Sequence, residues 1–263
     1  MHQVVSVNPR HEISSVAVLG EFDVRIWYCI TELLDSDAAS AATTHLSISE
    51  KDRSARFRSE ADRRDFAVAH DLLRQALSSC ANLSPSDWRF ATDARGKPSI
   101  DSDDPELKEL SFSLSHTNGF VACAVVKNLP VGIDVERIDR SLPSQEIADR
   151  FFSEGEARQL RDCPKAIRAI RFVELWTLKE AFLKAAGVGH FGSTTDISFQ
   201  FDEHRNIDFS APAVTGFPDW QFALFEPLAN VRMSIAIASP SPPRYFVHPY
   251  NGQSLEPLFA TPT

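Results

Sequence analysis

Residues 172–187 read FVELWTLKEAFLKAAG and carry the strongest helical pattern in the chain. Phe172, Leu175, Trp176, Phe182 and Leu183 can share one face of a helix predicted over Ala166 to Ala186, and Gly187 supplies a C-terminal stop. Within it Glu180 and Lys184 are one turn apart, in the order that makes a favourable ion pair, and Lys179 can extend its stem over the apolar face. Taken alone, this reads as an exposed helix salt bridge of small worth. About forty residues upstream lies Gly132-Ile133-Asp134-Val135-Glu136, on a short strand predicted over Val131 to Val135. Strand residues two apart share a face, so Asp134 and Glu136 project together. Adjacent carboxylates repel unless a cation or basic group lies between them, and a hard divalent ion such as magnesium accepts one or two carboxylates plus phosphate oxygens. The same spacing also suits a solvated strand end with Arg137 as partner.

Outward from these two stretches, the amino-terminal half alternates as a strand from Val24 to Thr31 and becomes helical at Ser49-Glu50-Lys51 and again at Ala61 to Leu77. Phe66, Ala69, Leu73, Ala76 and Leu77 can share a face of the second helix; His70 and Arg74, one turn apart, suit surface or helix-packing roles. Gly96-Lys97-Pro98 is a turn signal. Strands are predicted at Leu110 to Leu114 and Phe120 to Val126, joined by the turn-like Ser115-His116-Thr117-Asn118-Gly119. Beyond the acidic pair, helical segments are predicted near Ile147 to Phe152 and Glu154 to Arg161, then strands at Ile197 to Phe201, Trp220 to Phe225 and Val231 to Ala238. From Ser239 proline is frequent and a loosely held tail is expected. The expected division is 1–130, 131–240 and a proline-rich tail 241–263, giving two α+β lobes.

With 263 residues, ordinary apolar content and no long apolar run, the chain reads as a soluble globular protein with no membrane span. Its N-terminus lacks the basic-then-apolar layout of a secretory signal. Cys29, Cys80, Cys123 and Cys163 form no metal or disulfide spacing, and a cytoplasmic setting is expected. A net charge of −9 argues against nucleic acid. The positive charge that exists is gathered in Lys51, Arg53, Arg56, Arg58, Arg63 and Arg64, which suits a small polyanion, although such a run is also an ordinary solvated helical face.

Read in order, the basic helix pair, GKP, the strand ending Ser-His, GIDVE and FxxxWTxKEAFxKAxG resemble the phosphopantetheinyl transferases of the larger, surfactin-synthetase type. The resemblance runs from about Val24 to about Ala238. It implies two similar α+β lobes related by a pseudo-twofold axis, with the active site in the cleft between them, in a monomer. It implies transfer of the 4'-phosphopantetheine group from coenzyme A to a serine of an acyl or peptidyl carrier protein. Asp134, Glu136 and Glu180 match the family's magnesium (or manganese) ligands, with Glu180, Lys184 and Asp134 as catalytic candidates. The coenzyme A candidates are Lys51, Arg53, Arg63, Arg64, Gly96, Lys97, Pro98, Ser115, His116, Lys179 and Lys184. One departure stands out: where the family often has an arginine nine residues before the equivalent of Arg74, this chain has Asp65, and Arg63 or Arg64 would serve instead. That irregularity motivates a second reading, a non-catalytic coenzyme A-binding or carrier-docking protein. The segment Arg137 to Phe152, with Arg140, Leu142, Ile147 and Phe151, is the candidate carrier-docking surface, and it reads equally as a linker and a packed helix.

Overall fold

In the computed structural model, residues 19–138, 145–188, 194–212, 217, 219–252 and 255 are described. The elements in chain order are β1 (Asp23–Ile30), α1 (Ser36–Ala41), α2 (Ile48–Ala55), α3 (Glu60–Cys80), β2 (Phe90–Thr92), β3 (Pro98–Ile100), α4 (Pro105–Lys108), β4 (Leu110–Thr117) and β5 (Phe120–Lys127). Then follow β6 (Val131–Arg137), α5 (Gln145–Phe151), α6 (Glu154–Asp162), α7 (Lys165–Ala186), β7 (Ser198–Phe201), β8 (Ile207–Ser210), β9 (Trp220–Leu228), β10 (Val231–Ala238) and β11 (Arg244–Pro249). The class is mixed α+β. The described residues fall into two compact units, one made of 131–240 and the other of 19–130 with the segment from Ser241 onward. No helix among the described residues is long and apolar enough to cross a membrane.

The first unit is built on a sheet of order β11-β1-β5-β4. Strands β1, β5 and β4 are antiparallel, and α3 covers one face, packing Leu72, Leu73 and Ala76 against Trp27, Val121 and Cys123. Helix α3 runs past its expected end at Leu77. Ser59 caps its start by accepting the Asp62 amide at 3.4 Å, and the Ser79 hydroxyl donates to the Ala76 carbonyl at 2.7 Å near its end. Ser47 and Glu50 form a reciprocal capping box that starts α2 just ahead of its expected opening at Ser49.

Glu50 also fixes α2 to α3. Its carboxylate accepts from buried Arg74 at 2.7 Å and lies 2.9 Å from His70, while Arg74 donates to the carbonyls of Pro85 and Trp88. Arg74 and His70 therefore have helix-packing roles. Burial pushes the Glu50 carboxyl up, but hydrogen bonds from His70 and the Ser47 amide, with the charges of Arg74 and His70, outweigh it and hold the group at about 2 against an ordinary 4.5. A depressed carboxyl stabilises the fold above its unfolded pKa and loses that contribution as pH falls toward the folded one. Stability is therefore expected to drop between about pH 4.5 and about pH 2, and denaturant titrations across that range should show a shallower drop in Glu50→Gln.

The expectation of a loose tail after Ser239 is corrected. Strand β11 pairs parallel with β1, from Asp23 opposite Arg244 to Tyr28 opposite Pro249. Arg244 bonds Asp23 at 2.8 Å, Trp27 stacks on His248, and the Arg25 guanidinium lies over Phe246. Buried Tyr250 donates to Asp71 at 2.5 Å, and the same carboxylate lies 2.6 Å from His45. The prolines misled the reading because they flank the strand or, as Pro249 does, sit at the end of an edge strand, where a missing N–H is tolerated.

The second unit has an antiparallel sheet of order β6-β10-β9, a β7–β8 hairpin and α7 packed on β6 and β10. Gly187, at φ +66°, ends α7 where the sequence places the stop. The glycine of GIDVE has a packing role. A Cβ at Gly132 would lie 1.9 Å from the Ala181 carbonyl oxygen and 2.6 Å from the Ala185 amide nitrogen, so glycine lets the backbones of β6 and α7 meet. Gly132→Ala is expected to cost about 3 kcal/mol in chemical denaturation. Ala181→Gly should not rescue it, because the obstacle is backbone.

Candidate active site

Alternation along β6 puts Gly132, Asp134 and Glu136 on one face, and the contact of Gly132 with α7 shows which face that is. Asp134 is 5% exposed, and its Oδ1 accepts from the Lys184 ammonium at 2.7 Å. Lys184, one-third exposed, also donates to the Ile133 carbonyl at 3.0 Å. The two motifs therefore meet in space: a carboxylate from GIDVE and a lysine from the WTLKEA helix form a strand-to-helix ion pair. Around it, the Thr177 hydroxyl bonds Ser234 at 2.7 Å, and Ser234 lies opposite Asp134 in the β6–β10 register. Thr177, Glu180 and Lys184 lie in one row of α7, with Glu180 half-buried.

Among the described residues, no three His, Cys, Asp or Glu side chains converge as a ready metal cage. Magnesium does not need one: it is commonly held by one or two carboxylates, with substrate phosphates completing the shell. Asp134 and Glu136, two carboxylates on one strand face, supply the all-oxygen donor set that such an ion takes.

Lys179 is corrected as a coenzyme A contact. It is 2% exposed and turned inward, where its ammonium pairs with fully buried Glu156 at 2.8 Å. It also donates to the Thr194 carbonyl at 2.6 Å and to the Ile197 carbonyl. Burial lowers its pKa, and Glu156 acts in the opposite direction. Glu156 accepts further from the amides of Ser153 and Phe199, so the pair joins α6, α7 and β7. Glu156 was overlooked in the sequence, although Ser153-Glu154-Gly155-Glu156 is a capping-box pattern.

In the first unit, Ser115 and His116 are the end of β4 rather than part of a turn, paired opposite Ala122 and Val121. Adjacent strand residues face opposite sides, so Ser115 is buried and His116 exposed. Their side chains therefore leave opposite faces of the sheet. Lys51 and Arg53 are exposed on α2, with the Arg53 guanidinium over the Phe66 ring. Arg63 and Arg64, half-buried, open α3; Arg63 donates to the Phe57 carbonyl at 2.9 Å. Gly96, at φ +86°, turns the β2–β3 hairpin, and Asp93 ties it by accepting the Lys97 amide at 2.8 Å. Lys97 is half-buried, which lowers its pKa against the pull of Asp93, and Pro98 opens β3 beside β4. Arg140 and Leu142 of the candidate docking segment lie outside the described residues. Of its remainder, Ile147 is 39% exposed, Phe151 packs edge-on to Trp176, and Phe152 is core.

A family model described as the 4'-phosphopantetheinyl transferase superfamily matches residues 130–237, and one described as 4'-phosphopantetheinyl transferase, N-terminal, matches residues 35–128. The chain is 33% identical over 167 residues to the 4'-phosphopantetheinyl transferase HetI of Nostoc sp., covering 64% of this chain and 70% of that protein. It is 31% identical over 167 residues to the 4'-phosphopantetheinyl transferase Sfp of Bacillus subtilis, covering 64% and 71%. Among solved structures, the holo-[acyl-carrier-protein] synthase of Thermotoga maritima aligns at 24% identity over 43% of this chain and 65% of that one, with a TM-score of 0.37. With both halves matched and more than two thirds of each of these curated relatives covered, the chain belongs to the 4'-phosphopantetheinyl transferase superfamily.

Proposed function

We propose that this protein transfers the 4'-phosphopantetheine group of coenzyme A to a serine of an apo acyl or peptidyl carrier protein, releasing adenosine 3',5'-bisphosphate. The observation that carries this reading is the Asp134–Lys184 pair, which joins the two family motifs at one place. Asp134 and Glu136, with Glu180 from α7, would hold magnesium or manganese, which when bound supplies positive charge to the pyrophosphate. The serine oxygen forms a bond to the phosphorus bearing pantetheine, and the bond from that phosphorus to the bisphosphate oxygen breaks. Glu180 takes the serine proton as first candidate base, with Asp134 or Glu136 as the alternative. The Lys184 ammonium offers a positive charge to the phosphate as negative charge shifts onto the leaving oxygen. Lys97, His116 and the basic residues of α2 and α3 anchor the 3'-phosphate, so that remote binding energy is used for orientation.

The two similar lobes about a pseudo-twofold axis, the monomeric state and the cytoplasmic setting belong to this proposal on the strength of the resemblance. The carrier-docking role of the segment Arg137 to Phe152 is part of the proposal on its place after Asp134 and Glu136, with Ile147 exposed. The non-catalytic reading loses its motive, because Asp65 has a structural task of its own, described below.

The deciding experiment is intact-mass spectrometry of apo carrier proteins incubated with coenzyme A, magnesium and the protein, beside Glu180→Gln. A phosphopantetheine-sized gain absent from the variant is expected. No gain on any carrier from folded protein that binds coenzyme A would overturn the transferase reading.

A further inference from the structure

Asp65 stands in the opening of α3, directly after Arg63 and Arg64, and is 3% exposed. Both its oxygens are engaged. The Thr31 hydroxyl donates to Oδ1, and the Gly119 amide donates to Oδ2 at 2.8 Å. The Thr31 amide donates in turn to the Gly119 carbonyl at 3.0 Å. Gly119, at φ +72°, closes the two-residue turn between β4 and β5, three positions after His116. Its amide and carbonyl are thus both held, one by α3 and the other by the residue that follows β1. Arg64 Nε also lies 3.7 Å from Asp65 Oδ1, so the same carboxylate draws on an arginine of the basic turn.

We propose that Asp65 is a positioning residue for the 3'-phosphate of coenzyme A: it fixes the strand end that carries His116 in register with the α3 turn that carries Arg63 and Arg64. The proposal rests on the coenzyme A reading above. A phosphate dianion is gripped by several donors at once, and donors on separate elements converge only if those elements are mutually fixed. A buried carboxylate that accepts a backbone amide and a hydroxyl provides that fixity, since leaving either donor unpaired in the interior is costly. An acidic residue here orients cationic neighbours, so its sign does not conflict with an anion site.

The test compares coenzyme A with 3'-dephospho-coenzyme A in calorimetric titrations of the full chain. The ratio of the two affinities reports only on the 3'-phosphate. Asp65→Ala is expected to reduce that ratio about tenfold, with dephospho-coenzyme A affinity nearly unchanged. Asp65→Asn should retain most of it, because the amide oxygen can accept the Gly119 N–H while its NH2 donates to Thr31. Thr31→Val, which removes one hydroxyl, should give a smaller loss in the same direction. It carries the decision if Asp65→Ala does not fold. Variants that lose melting temperature but keep the wild-type ratio would show an ordinary structural residue and overturn the proposal. Wild-type protein that binds both compounds equally would instead overturn the assignment of the 3'-phosphate to this unit, and the proposal with it.

Discussion

Replacing Asp134 with asparagine is expected to slow phosphopantetheine transfer by about 10²–10³-fold, the size of effect seen when one preorganised electrostatic group is removed from an active site. The substitution is nearly isosteric. The amide oxygen can still accept from Lys184, and Gly132 still seats β6 against α7, so the fold should persist. What is lost is the negative charge that pairs with the Lys184 ammonium and that, in the proposed function, would help hold a divalent ion. The loss should fall mainly on the transfer rate rather than on the coenzyme A affinity that the proposed function assigns to the basic residues of the first unit. Mass-spectrometric rates beside calorimetric coenzyme A binding separate the two. Unchanged rates in a folded Asp134→Asn protein would remove this carboxylate from the chemistry.

Lys179→Met should act in the opposite manner, on stability and not on the ligand. It leaves Glu156 buried without its cation, and breaking such a pair typically costs about 3–5 kcal/mol. For a protein of this size that corresponds to a fall in Tm on the order of 10 °C. Adding Glu156→Gln should recover part of the loss by removing the buried charge. Full recovery is not expected, because Glu156 also accepts the amides of Ser153 and Phe199. A Lys179→Met protein with wild-type Tm and weakened coenzyme A binding would reinstate the lysine as a ligand contact.

The contrast between these two lysines shows what was legible in the sequence. Lys179 and Lys184 share a motif and a helix, and spacing cannot say which carbonyls and carboxylates their ends will meet. Burial decides it: Lys184, one-third exposed, reaches a strand carboxylate, whereas Lys179 is buried against a fully buried acid on another helix. The long elements were readable because periodicity and punctuation agreed, as in α7 with Gly187 and β10 across its whole length. Of the two readings of Ser115 and His116, the strand end holds and the turn does not, because a two-residue turn lets β4 run to Thr117. Gly132 was read as part of a motif, and its packing role depended on α7, which no local pattern reveals. Asp65 looked like a defect against the family pattern until its partners, Thr31 and Gly119, came from distant parts of the chain.

The pairing of β11 with β1 has a consequence for how the protein is made. Asp23 and Arg244, which bond to each other, are 221 residues apart. During vectorial synthesis, the amino-terminal sheet therefore leaves the ribosome with one margin of β1 open, while the unit made of 131–240 has all its strands before that margin is closed. The half begun first is completed last. Until then an unpaired strand edge is exposed to any other extended segment nearby. Nascent chains stalled before Arg244 are expected to be the ones that chaperones hold, and release should follow the arrival of Tyr250 at Asp71.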